Sequence, residues 1–291
     1  MSKAKVAIIG SGNIGMDLMF KVLKNPHLEM SLVTGLSNDS PRLALARDMG
    51  VPVSDQGIKA IVDDPGCCDI VFDATTAKAH LEHAKILKQL GKKVIDLTPA
   101  GVGAWVVPAF NLKENLDQDN INLISCGGQA VIPIIGAIQR VTPVEYAEAV
   151  AANSSKSVGP GTRANIDEYT QHTREGMIKV GGVKAAKAII VINPAEPPLI
   201  MHNTIFCVVE RLDEALCEEI KNSIGEMLKV IQSYVPGYRL TAEPQFTLDR
   251  RLVTVLIEVE GAGDYLPAYS GNLDIITQAG VRVAAEIAQR M

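Results

Sequence analysis

Short apolar runs alternate with stretches of helical apolar spacing through the first half of the chain. Lys5–Gly10, Leu28–Leu36, Asp69–Ala74, Lys93–Leu97 and Ile121–Ile124 have the length and composition of buried strands. Asp17–Leu23, Pro41–Met49, Ala77–Leu90 and Ala130–Val141 carry apolar residues at helical spacing. This alternation predicts a parallel sheet with helices on both faces. The second half has a different texture. Val144–Ala151, Ala188–Asn193, Thr204–Val209 and the alternating Val253–Val259 read as strands of a second sheet. Helices are expected at Ile166–Val180, Asp213–Ser233 and Ile275–Met291, the last able to pack back on the first half and close a cleft. The pattern is α/β with two domains: residues 1–126 with 271–291 form one, and 127–270 the other.

The first strand runs into Gly10, Ser11, Gly12, Asn13, Ile14 and Gly15, and a helix follows. Strand, GxGxxG, helix is the context a dinucleotide fingerprint needs: a tight turn, backbone close to pyrophosphate, and close helix packing. The second strand ends in Gly35-Leu36-Ser37-Asn38-Asp39, with serine where an acidic residue would hold ribose hydroxyls. Asp39 lies late in that turn, and Arg42 or Arg47 offers a 2′-phosphate partner. NAD is expected, with NADP left open. Thr75-Thr76 and Thr98-Pro99 follow the carboxyl ends of strands and should line the same crevice.

Cys126 stands where an apolar run ends and the pair Gly127-Gly128 begins. Close to a helix N-terminus, unpaired N–H groups favour a thiolate, the nucleophilic form. The glycines let backbone donors approach an oxygen beside the sulfur. Pro133 is compatible with a first helical turn. Further on, Ser154 to Asn165 is dense in hydroxyls, glycines and basic groups, suited to phosphate or amide binding at a helix mouth. His80 and His83 lack a third ligand and read as surface or packing residues, so no metal site is expected. Cys67-Cys68 read as loop filler, and Cys207 and Cys217 as core.

Composition narrows the classes. At 291 residues and a net charge of −5, the chain has no general attraction to nucleic acid or to an anionic membrane. Aromatic residues are 4%, too few for base-stacking platforms. Five cysteines without paired CxxC clusters, and a start lacking a signal-peptide pattern, fit reduced thiols in a cytoplasmic protein.

Five stretches together resemble one family. Gly10–Gly15, Ser125–Ala130, Gly159–Asn165, Asn193–Leu199 and Tyr265–Asp274 are similar to motifs of the CoA-acylating acetaldehyde dehydrogenases, from about residue 3 to the end. The resemblance implies a Rossmann domain plus an α/β catalytic and dimerisation domain, similar to glyceraldehyde-3-phosphate dehydrogenase. It implies oxidation of acetaldehyde or propanal with NAD to the acyl-CoA, through a thioester on Cys126, with coenzyme A as co-substrate. It implies a homodimer in complex with the aldolase that splits 4-hydroxy-2-oxovalerate, in the degradation of aromatic compounds. Cofactor contacts carry over to Gly10–Gly15, to Ser157, Val158, Gly159, Pro160, Gly161, Thr162, Arg163, Ala164 and Asn165, and to Asn272. The expected catalytic set is Cys126, Asn165 and Asn203, with Asn165 and the backbone around Gly127 and Gly128 the candidate oxyanion donors.

Two departures stand out. Valine occupies position 131 where the motif continues with threonine, which bears on cofactor fit or helix capping. Asn203 aligns with an aspartate that activates the cysteine in some relatives, and asparagine cannot act as a base. Ionisation would then rest on the helix terminus, the bound NAD cation or His202, itself expected to be an exposed loop residue. Lys156 and Arg163 are the weak candidates for a CoA phosphate clamp. The rivals are a phosphorylating semialdehyde dehydrogenase, and a non-catalytic nucleotide-binding subunit that stabilises or gates an aldolase.

Overall fold

The structure is a computed structural model that describes residues 3–159, 163 and 166–291. The first sheet comprises β1 (Ala4–Ile9), β2 (Leu28–Thr34), β3 (Val53–Ser54), β4 (Ile70–Asp73), β5 (Lys93–Asp96), β6 (Ala104–Trp105) and β7 (Asn120–Asn122). They lie in the order β3-β2-β1-β4-β5-β7-β6, and every pairing is parallel. Parallel neighbours need crossovers. Helices α1 (Asn13–Lys24), α2 (Pro41–Asp48), α3 (Lys59–Asp63), α4 (Ala77–Gln89) and α5 (Pro108–Asn111) lie on those connections. The chain leaves β1 towards β2 and returns on its other side as β4. The strand order therefore reverses beside β1, and a ligand crevice opens there at the strands' carboxyl ends.

After α6 (Cys126–Gln139) the second sheet begins with β8 (Val144–Ser154), followed by α7 (Ile166–Lys179), β9 (Ala185–Asn193) and β10 (Met201–Val209). Then come α8 (Glu214–Gln232), β11 (Tyr238–Leu240), β12 (Gln245–Thr247), β13 (Leu252–Val259) and α9 (Gly271–Ala288). The order is β11-β13-β10-β8-β9, with β12 beside β13. β8 and β9 pair in parallel, with α7 between them in the chain, and the other pairings described in this sheet are antiparallel. Burial alternates along β13, with Val253, Val255, Ile257 and Val259 all buried. This is the period a one-sided sheet requires.

The final helix does pack against α1. Lys21 of α1 is buried there among Asp17 (2.8 Å), Asp264 (3.0 Å) and Asp274 (2.8 Å). Burial opposes its charge, but Asp274 and Asp17 outweigh burial and raise the ammonium pKa. Thr277 of α9 donates to Asp17 at 2.5 Å. A charged cluster thus fixes the start of α9 on the nucleotide-side helix.

Several boundaries differ from expectation. The first helix starts at Asn13, not Asp17, because Gly12 takes the cap position. The last starts at Gly271, not Ile275, which puts Asn272 and Asp274 in its first turn. β10 begins at Met201, so His202 is not a loop residue. It lies on an exposed strand face with Nε2 2.8 Å from Glu258, its cross-strand partner. Cys207 and Cys217 are core, as expected, and Cys68 is buried too.

Candidate active site

β7 ends at Asn122, and the chain then turns sharply. Asn122 Oδ1 accepts from the Ile124 N–H at 2.9 Å, and Ile124 takes a left-handed φ of 66°. That conformation is costly for a β-branched residue, of order 1–3 kcal/mol, and such strain gathers at functional corners. Gly128 and Gly176 make the room: a Cβ on either would lie 3.0 and 2.8 Å from the Ile124 side chain. Ser125 follows as the cap, its Oγ accepting from the Gly128 N–H at 2.9 Å. Cys126 is the first residue of α6. The helix therefore starts earlier than Ala130 and carries Pro133 in its interior, not its first turn. Gln129 braces the corner by donating to the carbonyls of Val106 (2.8 Å) and Leu123 (2.9 Å).

The N–H groups at the helix start favour the Cys126 thiolate but do not bring the thiol below its ordinary value. Burial comes first and pushes it up; hydrogen bonding from Tyr169 and backbone N–H groups opposes burial without overcoming it. Tyr169 Oη lies 3.8 Å from the sulfur. Gly127 permits this approach, since a Cβ there would meet the hydroxyl oxygen at 2.3 Å. Sequence reasoning missed Tyr169. Its signal was the spacing of Tyr169, Thr173 and Met177, all of which face inward on α7.

Cys126 opens onto a cavity of about 450 Å³, whose walls include Ile14, Thr98, Asn153, Tyr169 and Asn272. A second cavity, about 480 Å³, lies over Gly10 and Ser11 and reaches Leu36. Thr75 and Thr76 line both, so the two adjoin. The glycine loop has the tight geometry of a phosphate cradle: a Cβ on Gly15 would lie 1.8 Å from the Gly10 carbonyl, whereas one on Gly12 would meet nothing within 4 Å. Asn272 donates to the Ser157 carbonyl at 3.2 Å, while its buried Oδ1 has no partner among the described residues. An elongated double cavity, an open helix N-terminus and an unpaired amide oxygen fit a dinucleotide.

A buried polar network underlies the threonine loops. Asp73 Oδ2 faces His80 Nδ1 (2.9 Å) and His83 Nδ1 (2.8 Å), while His80 Nε2 lies 3.3 Å from Asp96. Asp73 receives the Thr75 N–H at 3.1 Å, and Asp96 the Thr98 N–H at 2.7 Å. Burial would raise the Asp73 pKa, but hydrogen bonds from His80, His83 and Thr75 hold it well below the usual range. Burial pushes Asp96 up to about 6. His80 is thus a fully buried member of this network, and His83 stays partly open on the wall of the second cavity.

The other expected residues divide. Ser11, Ile14, Val158 and Asn272 line the cavities, and Ser157 and Gly159 lie on the adjoining loop. Arg163 is spent on that loop, donating to Val158 O (3.0 Å) and Ser155 O (2.8 Å). Lys156 pairs with Glu196 at 2.6 Å. Neither is a ready phosphate clamp. Arg42 reaches Asn13 of the glycine loop at 2.8 Å. Pro160, Gly161, Thr162, Ala164 and Asn165 lie outside the described residues. Asn203 is buried on β10 with neither amide atom paired among the described residues, and it is absent from the wall of the Cys126 cavity. Val131 is core, so its missing hydroxyl bears on neither the cavity nor the cap, which Ser125 provides. Among the described residues no group of three His, Cys, Asp or Glu could hold a metal ion, and no helix is long and apolar enough to cross a membrane.

Residues 126–267 match the family model for the prokaryotic acetaldehyde dehydrogenase dimerisation domain. Residues 5–115 match that of the semialdehyde dehydrogenase NAD-binding domain. An acetaldehyde dehydrogenase of Geobacillus stearothermophilus is 57% identical, over 99% of this chain and 97% of the relative. One from Thermus thermophilus is 53% identical, over 99% and 96%. The chain belongs to the acetaldehyde dehydrogenase family. Among solved structures, aspartate semialdehyde dehydrogenase II of Vibrio cholerae superposes with a TM-score of 0.66 at 12% identity, covering 99% of both chains. That likeness is one of fold. Membership places a Rossmann-like NAD-binding sheet beside a second, mixed sheet, the architecture expected from the sequence.

Proposed function

We propose that this chain is an NAD-dependent acylating aldehyde dehydrogenase that converts acetaldehyde or propanal and coenzyme A to the acyl-CoA through a thioester on Cys126. The observation that carries this is the opening of Cys126 into a cavity that adjoins the glycine-loop cavity at Thr75 and Thr76. The names of relatives at 57% and 53% identity support the same substrate. Gly10–Gly15 and Thr75-Thr76 would hold the dinucleotide's phosphates, and Asn272, with the loop from Ser157 to Asn165, its nicotinamide end. NAD bound there supplies a hydride acceptor.

The chain's own chemistry begins with the Cys126 thiolate adding to the aldehyde carbon. The carbonyl oxygen, now charged, needs donors, and the backbone beside Gly127 and Gly128 with Asn165 are the candidates. Losing one such donor typically costs about 3 to 4 kcal/mol of barrier. Once oxidised, the acyl group stays on sulfur until the CoA thiol displaces it, which conserves thioester energy. The half-buried position of Cys126 in an apolar corner disfavours attack by water.

The same proposal includes a domain division at 126/127 and 270/271, homodimers through the second sheet's domain, and a cytoplasmic location. It also includes the complex with a 4-hydroxy-2-oxovalerate aldolase in aromatic degradation, which rests on the family resemblance. The gating-subunit alternative loses one support, because Val131 is a core residue. The test is NADH formation from acetaldehyde and propanal with CoA or phosphate, and with NAD or NADP. Turnover with CoA and NAD is expected. Turnover with phosphate alone would mean a phosphorylating enzyme. Cys126→Ser should abolish turnover with NAD binding intact; retained turnover would remove Cys126 from the mechanism.

A further inference from the structure

Cys126 must ionise in a place whose desolvation opposes ionisation. No cation enters its charge balance among the described residues. The side chain that touches its sulfur is Tyr169, at 3.8 Å, within reach of a hydrogen bond to sulfur. Both residues line the same cavity.

Three features hold the tyrosine there. Gly127 leaves the space its hydroxyl occupies. A side-chain relay ties α7 to the start of α6: the Gly128 N–H donates to Ser125 Oγ (2.9 Å), Ser125 Oγ meets Thr173 Oγ1 (2.7 Å), and Thr173 Oγ1 donates to the Tyr169 carbonyl (2.8 Å). Thr173 lies one turn from Tyr169, so the relay sets the rotation of α7 that aims the phenol at sulfur. The phenol side chain itself is buried.

We propose that Tyr169 is a catalytic residue of this site: its hydroxyl donates a hydrogen bond to the Cys126 sulfur once the thiol has lost its proton, and so sets the pH at which the nucleophile forms. In the protonated state the S–H donates to the phenol oxygen. When that proton leaves through the cavity to solvent, rotation about the Cζ–Oη bond turns the phenol proton onto the sulfur anion. Tyr169 is no base. Burial holds its phenol well above the ordinary value, so it remains a donor throughout the neutral range. The sulfur lone pair then forms the bond to the aldehyde carbon as the carbonyl π pair moves to oxygen. Bonds to ionised partners are roughly twice as strong as neutral ones, so the contact favours the thiolate over the thiol.

This inference rests on the proposed function only in taking Cys126 as the nucleophile. Its test is the rate of Cys126 alkylation by iodoacetamide against pH, in the wild type and in Tyr169→Phe. The adduct is assigned by peptide mass, because Cys67 is also partly open. Phenylalanine keeps the ring and removes one oxygen. The alkylation midpoint should rise by about one pH unit, which is about a tenfold slower reaction at neutral pH. NAD affinity by calorimetry and the melting temperature should not change. Gly127→Ala, whose methyl must displace the hydroxyl, should shift the midpoint the same way. Coincident midpoints in wild type and Tyr169→Phe overturn the proposal. So does a fall in melting temperature or NAD affinity with no shift, since that marks a structural role. A wild type that takes no acyl group from acetyl-CoA would sink the acyl-transfer proposal and leave the alkylation comparison standing.

Discussion

On the parallel-sheet side of the cleft, buried charges are paired: Asp73 with His80 and His83, and Lys21 with Asp17, Asp264 and Asp274. On the mixed-sheet side, Asn153 and Asn203 hold four buried amide atoms that no group among the described residues satisfies. Both residues lie on the inward face of their strands, and Asn203 pairs across from Ala151, two residues from Asn153. One side uses charge to fix loops and a helix against the nucleotide crevice. The other leaves neutral donors and acceptors unpaired, and Asn153 presents its own on the wall of the Cys126 cavity. A buried polar group without a partner weakens the fold. The two sides should therefore answer substitution with opposite signs.

The largest effect is expected at Lys21→Met. It would leave three carboxylates around an apolar side chain, and breaking a buried ion cluster by removing one partner costs about 3–5 kcal/mol. Urea unfolding should show that loss. NAD affinity should fall as well, because Asn272 and Leu273 ride on the helix that Lys21 anchors. A loss below about 1 kcal/mol would mean that the carboxylates find water or protons instead, and the contrast between the two sides would weaken.

On the unpaired side, Asn153→Leu should be neutral or stabilising, by up to about 1 kcal/mol, since exchanging an unsatisfied amide for an apolar group of similar size removes its desolvation cost. Asn203→Leu should behave alike in unfolding. The two part in turnover: Asn153 lines the Cys126 cavity and Asn203 does not, so only Asn153→Leu should alter aldehyde kinetics. Equal kinetic damage from both would show that Asn203 reaches the chemistry after all.

This contrast also marks where the sequence was legible. Strand and helix types followed from apolar periodicity, and Gly10–Gly15 and Cys126 could be located because their motifs are local in the chain. Tyr169 and Lys21 were not legible in that way. Each takes its role from partners far along the sequence, Tyr169 from Cys126 and Lys21 from Asp264 and Asp274. His80 reads as an ordinary helix residue until β5 brings Asp96 beneath it. Cys126 illustrates the converse failure. Its place at a helix terminus was readable, but the apolar surroundings that outweigh that terminus come from α6, α7 and the second sheet together. Pro133 likewise argued for a later helix start, yet the glycine pair and the Ser125 cap begin the helix at Cys126.

The smallest and most discriminating effect should come from His80→Gln, through its pH dependence. Burial would lower the His80 pKa, but the Asp73 hydrogen bond and the charges of Asp96 and Asp73 outweigh it, and the folded value is raised. A raised folded pKa means the folded state holds the proton more tightly than the unfolded chain. The stability this gives is fully present below the ordinary histidine value, about 6.5, and is lost as pH rises through the folded value. Glutamine can bridge Asp73 and Asp96 by hydrogen bonds but carries no charge. The melting-temperature deficit of His80→Gln should therefore be larger at pH 6 than at pH 9. Asp96, whose carboxyl burial pushes up to about 6, takes up a proton below that pH, and the charge it sets against His80 is lost there. The deficit should therefore level off on the acid side and not grow further there. A deficit that is equal at pH 6 and pH 9 would mean that His80 is neutral in the fold. The paired side would then be held by hydrogen bonds alone, and the difference in charge between the two walls would shrink to the Lys21 cluster.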